Sequence, residues 1–96
     1  GYIECLPKDI VVEVPGIINK SGISGISFKN YPAAFGSLLN SQSGVIQMTT
    51  DAVLNASKHS AYLALLADPV VNDSFQAEKL LNNMLETQSK FLYYLK

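Results

Sequence analysis

The stretch that decides the fold is residues 31–71, YPAAFGSLLNSQSGVIQMTTDAVLNASKHSAYLALLADPVV, in which only Asp51, Lys58 and Asp68 carry a formal charge. An ordinary surface helix sets a charged face against one apolar stripe, and this stretch has too few charges to do so. A domain of this size leaves much of its surface in water. The stretch therefore predicts helices that are covered on more than one side, partly by protein outside these residues. That cover is either the rest of a longer polypeptide or a partner subunit.

Two helices are predicted inside the charge-poor stretch. The first begins at Pro32, a residue suited to the first helical position, and its apolar stripe continues to Ala56. Thr50 offers an N-cap at which this helix could break. The second helix runs from Ser57 or Lys58 to Ala67, stops before Pro69, and is apolar all round, which predicts a buried helix.

The glycines of the first helix predict a close approach. Gly36 and Gly44 each weaken the helix by roughly 1 kcal/mol relative to Ala. We expect another backbone to pack closely against both positions.

A third helix is predicted after Asp73, which suits an N-cap, and it continues to the end of the chain. Leucine, methionine and phenylalanine side chains recur on one face, and charged and amide side chains occupy the other. Glu86 and Lys90 are four residues apart in the order that favours an ion pair on a helix.

A hairpin is predicted before the helices. The β-branched run Ile10–Val14 predicts a strand, which Ile17 and Ile18 continue past Pro15, so that this strand lies at an edge or a bulge. Residues 19–22 form a turn in which Gly22 is free to take a positive φ. Residues 23–28 form the return strand.

Composition limits the classes of function. The 96 residues have a formal net charge of -1 and contain no arginine, so they lack the basic field that nucleic-acid binding needs. No run is apolar enough to span a bilayer, and no signal peptide is evident. The single cysteine excludes an internal disulfide and indicates a reducing compartment, so we expect a cytoplasmic protein.

The chemistry-bearing residues do not form a recognisable site. Cys5 and His59 are the only residues of their types, but they lie in different elements and no third ligand is evident. Asp9 and Glu13 would be roughly 13 Å apart on one strand, which is too far for paired acid–base work on one bond. No glycine-rich nucleotide loop and no serine-nucleophile motif occurs.

A resemblance to a known family covers nearly the whole chain. Residues 1–15, GYIECLPKDIVVEVP, look like a passage of glycoside hydrolase family 4 close to G-Y-I-x-N-L-P-x-D-x-V-V-E-V-P. Pro32 opens a helix with Leu38-Leu39-Asn40, as in that family. Residues 49–54 are similar to its T-x-E-A-x-L, and residues 65–69 match its L-L-x-D-P.

The resemblance implies a glycosidase that uses NAD and a divalent metal, typically manganese. A sugar hydroxyl is oxidised, the glycosidic bond is eliminated, water adds and the ketone is reduced again. It also implies a fold similar to lactate and malate dehydrogenases and an assembly of two or four subunits. Substrates of the family include glucosides, their 6-phosphates and α-galactosides.

No functional residue of the family is carried over to this chain. The nucleotide loop, the metal-binding residues and the proton-transfer groups of the family belong upstream of this segment. Cys5 stands where members commonly have Asn, and His59 stands at a variable position. The predicted set of catalytic, cofactor-binding and metal-binding residues within residues 1–96 is therefore empty.

The sequence therefore predicts an α+β segment with an edge β-hairpin followed by three helices, part of the C-terminal domain of a dehydrogenase-like glycosidase. It forms a single partial domain, with strands in residues 1–30 and helices in residues 31–96. Its expected partners are the rest of the parent enzyme and other subunits. Two alternatives are an independent helical interaction module and the substrate domain of a related NAD-dependent dehydrogenase.

Overall fold

The computed structural model describes residues 1–96 and contains a β-hairpin followed by four helices. The strands are β1 (Gly16–Asn19) and β2 (Gly22–Gly25), and the helices are α1 (Ala33–Leu54), α2 (Lys58–Ala67), α3 (Ser74–Thr87) and α4 (Ser89–Leu92). The chain forms two compact units, Gly1–Ser43 and Gly44–Lys96. The predicted α+β class, a hairpin followed by helices, is confirmed.

The turn of the hairpin is where the sequence predicts it. β1 and β2 are antiparallel, with Asn19 opposite Gly22 and Gly16 opposite Gly25. The Asn19 side chain accepts a hydrogen bond from the Ser21 amide at 2.8 Å. Gly22 has a φ of 115°, a conformation that a residue with a Cβ rarely adopts.

The strand predicted at Ile10–Val14 is wrong for this chain. The first strand begins later, at Gly16, and residues 11–15 belong to no strand or helix. The ladder of the hairpin extends only to the Ile26 amide, which donates to Pro15 O at 2.8 Å. The return strand also ends early, because the Phe28 amide donates to Tyr2 O at 2.7 Å in an isolated parallel bridge.

Helix α1 is continuous, so the break considered at Thr50 does not occur. The Gly36 amide donates to Pro32 O at 2.9 Å, as expected for a helix that opens at Pro32. The Thr50 hydroxyl donates to Ile46 O at 2.9 Å within the helix and caps nothing. The helix ends at Leu54, and Ala56 then has a φ of 51°.

In the second unit, capping side chains set the starts of α2 and α3. Ser57 Oγ accepts the Ser60 amide at 3.1 Å, and Asp73 Oδ1 accepts the amides of Phe75 and Gln76 at 2.8 and 3.1 Å. These bonds satisfy amide groups that have no acceptor inside the first turn of a helix. Both starts agree with the sequence prediction.

Two alanines and one leucine make the core between α2 and α3. Ala64 of α2 and Ala77 and Leu81 of α3 are buried. The Tyr62 hydroxyl donates to Ser74 O at 3.3 Å, which ties α2 to the start of α3.

The third predicted helix is divided in two. Gln88, with φ -105° and ψ 21°, ends α3 and precedes α4. The Thr87 hydroxyl donates to Asn83 O at 2.8 Å beside this break. The break falls between Glu86 and Lys90, and the Lys90 ammonium lies 5.7 Å from the centroid of the Phe91 ring.

Helix α2 is not covered on all sides by this chain, so the burial predicted for it depends on protein outside these 96 residues. Only Ala64 of α2 is buried, whereas Leu63 is 40% exposed and Leu66 is 39% exposed. The rest of this chain does not fully cover the apolar side chains of α2.

Candidate functional site

The residues considered as chemical candidates are dispersed. Cys5 is an exposed free thiol in the first unit, where its side chain lies against Gly36. His59 lies in the first turn of α2, in the second unit. Asp9 and Glu13 are both exposed.

Two close approaches explain glycines in the first unit. A Cβ added to Gly36 would overlap the Cys5 side chain, so the close packing predicted there is confirmed, although the neighbour is a side chain and not a backbone. A Cβ on Gly25 would lie 2.6 Å from Tyr2 Cε1. By contrast, a Cβ on Gly44 meets no atom within 4 Å, so the packing predicted at Gly44 is absent from this chain.

His59 lines a cavity of the second unit. This cavity has a volume of about 340 Å³ and is lined by Lys58, His59, Tyr62, Glu78, Leu81 and Lys96. The cavity contains no thiol or serine hydroxyl that His59 could activate. Among residues 1–96, no group of three or more His, Cys, Asp and Glu side chains could hold a metal ion.

The dominant surface feature is exposed apolar area. Large apolar side chains are exposed in both units. We use the name apolar surface for the exposed large apolar side chains of the charge-poor stretch, residues 31–71. They are Phe35, Leu38, Leu39, Ile46, Val53, Leu54, Leu63, Leu66 and Val70.

The hydroxyl groups of α1 add to the apolar character of this helix. The side chains of Ser37, Ser43, Thr49 and Thr50 each donate to the carbonyl oxygen four residues earlier, at 2.8–3.0 Å. A hydroxyl group that has found an acceptor on its own helix loses less when water is removed from it. Helix α1 can therefore be covered by other protein at a low desolvation cost.

An apolar groove lies in the second unit. It has a volume of about 370 Å³ and is lined mostly by aliphatic side chains of α2, α3 and the C-terminal half of α1: Val45, Thr49, Ala61, Ala64, Leu65, Asp68, Leu80, Leu81 and Met84. Its one charged lining residue is Asp68. Such a groove suits apolar side chains of another protein segment better than a polar ligand.

A second unusual feature is the backbone of residues 11–14, which lacks hydrogen-bond partners. The sequence did not predict this. These residues make no backbone hydrogen bond within the chain. The β-branched composition of the run was the available signal, because it predicts a strand and a strand needs a partner.

None of the helices has the length and apolar character needed to cross a membrane.

Comparison with known proteins identifies the family. Residues 1–71 match the C-terminal domain of family 4 glycosyl hydrolases. The whole chain is 36% identical to 21% of the length of an alpha-glucosidase of Erwinia rhapontici. It is 28% identical, over 95% of its length, to a phospho-alpha-glucosidase of Clostridium acetobutylicum, of which it covers 20%.

A third relative is an alpha-galactosidase of Rhizobium meliloti, 28% identical over 96% of this chain and 19% of that protein. The chain thus spans about one fifth of the length of these relatives. No solved structure matches it. Because the family match covers most of the chain and includes the passage from Gly1 to Pro15, this chain belongs to the family 4 glycosyl hydrolases, as a C-terminal domain.

Proposed function

We propose that the chain is the C-terminal segment of a glycosidase that hydrolyses glucosides, phosphoglucosides or galactosides in the cytoplasm. The observation that carries this proposal is the family match over residues 1–71, together with relatives described as glucosidases and a galactosidase. The single cysteine allows no disulfide within these 96 residues, which is in keeping with a reducing compartment.

The segment itself has a structural and interface role in this proposal. Its apolar surface and its groove are lined mainly by aliphatic side chains. They suit packing against the rest of a longer polypeptide, since this chain covers only about one fifth of its relatives' length. Large exposed apolar patches mark sites of association, and each of the two units has exposed apolar side chains that could contribute to one. Other subunits of a homo-oligomer would cover what the rest of the polypeptide leaves open.

NAD and manganese belong to the parent enzyme in this proposal and not to this segment. A manganese site needs several oxygen or nitrogen ligands, and these 96 residues offer no such group. They also contain no glycine-rich loop for a dinucleotide. The donor groups of these 96 residues do not fit either cofactor, so both would be held by residues outside this chain.

The test uses the full-length polypeptide of which this chain is a part. Nitrophenyl α-glucoside, its 6-phosphate and nitrophenyl α-galactoside are each supplied with and without NAD and Mn²⁺. We expect nitrophenol release from at least one glycoside only when both NAD and Mn²⁺ are present. Cleavage that needs neither, or oxidation of a 2-hydroxy acid without any glycoside cleavage, would refute the proposed activity.

A matched truncation tests the structural role. A polypeptide that ends immediately before Gly1 should lose activity and aggregate, because its apolar counterpart surface becomes exposed. A truncated protein that stays monodisperse with unchanged thermal stability and activity would show that this segment has no such role.

A further inference from the structure

The region of interest is the segment Ile10–Val14, whose side chains are arranged as in a strand although it pairs with nothing. Ile10, Val12 and Val14 are half-buried, and Val11 and Glu13 are exposed. This alternation with period two is the pattern of a β-strand with one covered face. Val11 is 95% exposed, which is the highest value among the large apolar side chains of the chain.

The backbone of this segment has no partner inside the chain. Continuing the register of the hairpin would place Val14 opposite Ser27 and Glu13 opposite Phe28. Tyr2 O instead accepts the Phe28 amide at 2.7 Å, so the place beside Glu13 is taken. The amides and carbonyls of Val11–Val14 therefore remain free for another strand.

A groove runs beside the free backbone. It has a volume of about 470 Å³ and its apolar lining includes Tyr2, Ile3, Leu6, Ile10 and Val12. An added strand pairs through its main chain, and alternate side chains need such a recess. Pro7 and Pro15 flank the segment and limit it to a short strand, because proline donates no hydrogen bond to a ladder.

We infer that Val11–Val14 is the edge of an incomplete sheet, and that a strand from the remainder of the same polypeptide pairs with it. The inference rests on the proposed function in one respect, namely that the chain is part of a longer enzyme. Natural proteins protect a free edge of β-branched residues by charge, by proline or by cover, since it otherwise promotes aggregation. Glu13 is the only charge on this edge.

The short length of the segment favours the same polypeptide, and not a second copy of the chain, as the source of the partner strand. Five residues extend for roughly 17 Å, and such a strand buries far less than the roughly 1,200 Å² that a stable interface needs. A strand of the same polypeptide is held nearby at a high effective concentration, so a short ladder is sufficient.

Hydrogen exchange of the full-length protein tests the inference. In this chain the amides of Val11–Val14 have no acceptor. A strand on the edge away from β2 would bond the amides of Val12 and Val14, because alternate amides point to opposite edges. We expect these two amides to be protected by about 100-fold or more over the unstructured rate. The exposed turn amide of Lys20 serves as the internal reference. Exchange of Val12 and Val14 as fast as that of Lys20 would overturn the inference.

Matched variants show whether the backbone is responsible. Val12→Thr keeps a β-branched side chain and should retain the protection of Val14. Val12→Pro removes one of the two amides that point away from β2, and should reduce the protection of Val14 at least tenfold. Equal protection of Val14 in the two variants would contradict strand pairing, and the wild-type measurement stands even where Val12→Pro fails to fold.

Dilution distinguishes a partner strand of the same polypeptide from one of a second copy. Protection that stays constant when the protein is diluted from oligomer to monomer supports a strand of the same polypeptide, whereas protection lost on dilution refutes it in favour of a second copy. Exchange is measured without substrate. A protected segment in a protein with no glycosidase activity would refute the proposed function alone, and an active enzyme with an unprotected segment would refute this inference alone.

Discussion

The same substitution at two glycines of helix α1 should change its stability in opposite directions. At Gly44 an added Cβ meets no atom within 4 Å, so Gly44→Ala gains only the helix preference of alanine. That gain is about 1 kcal/mol in a helix interior. At Gly36 the added Cβ would overlap the Cys5 side chain. Overpacking costs roughly 1–3 kcal/mol and exceeds the smaller gain available in the first turn.

Hydrogen exchange of α1 amides in the full-length protein measures both effects. A change of 1 kcal/mol alters a protection factor about fivefold. We expect protection near residue 44 to rise by up to that factor in Gly44→Ala, and protection near residue 36 to fall in Gly36→Ala. Cys5→Ala, which removes the overlapping sulfur, should recover part of the loss when combined with Gly36→Ala.

Two outcomes would refute this reasoning. Additive effects of Gly36→Ala and Cys5→Ala would show that the two residues do not interact, since contacting residues give a coupling energy. A loss of protection in Gly44→Ala would show that the open space at Gly44 is filled in the full-length enzyme. In that case the packing expected from the sequence exists, but protein outside these 96 residues supplies it.

Two further predictions concern the ends of elements. Asp73→Ala should destabilise α3 by about 1 kcal/mol, because Asp73 Oδ1 accepts two backbone amides at 2.8 and 3.1 Å. The control Asp73→Ser should keep most of the exchange protection of Phe75 and Gln76. Equal protection in the two variants would contradict the capping role. Gly22→Ala should destabilise the hairpin by about 1–3 kcal/mol, because Gly22 has a φ of 115°. The control Gly16→Ala, whose Cβ would lie 3.7 Å from Ser24 O, should leave hairpin exchange nearly unchanged, and a similar loss in both would argue against backbone strain.

The sequence predicted the helices better than the strands, for a physical reason. Ser57 and Asp73 cap the starts of α2 and α3 through bonds between residues two or three apart, which the sequence displays directly. The break at Gln88 was missed because the apolar stripe continues across it. The run Thr87-Gln88-Ser89 was the local signal, since Thr and Ser side chains compete for backbone hydrogen bonds.

A strand depends on a partner that a local pattern cannot supply. The β-branched run Ile10–Val14 has the composition of a strand, but its hydrogen bonds must come from elsewhere. Within this chain, Tyr2 occupies the amide of Phe28 that the run would have used. The prediction failed on pairing and not on side-chain pattern, which retains its period of two.

The sequence predicted that apolar side chains would be left uncovered, but it did not predict the side-chain hydrogen bonds of α1. Charge scarcity in residues 31–71 predicted apolar side chains that the chain cannot cover, and Phe35, Leu38 and Leu54 are 61%, 67% and 77% exposed. Which hydroxyl groups turn back on α1 could not be inferred, because a rotamer decides it.

Low charge and self-bonded hydroxyls together suit α1 to an interior position better than to a surface. A buried hydroxyl without a partner costs roughly 1–3 kcal/mol on mutational scales, and four of these groups on α1 have acceptors before any protein covers them. Asp51 is bonded within the helix in the same way. Its carboxylate accepts a hydrogen bond from the Gln47 side-chain Nε2 at 2.8 Å, and its backbone carbonyl accepts one from the Asn55 side-chain Nδ2 at 2.8 Å. These internal bonds lower the cost of covering α1, which favours the proposal that other protein packs against this helix.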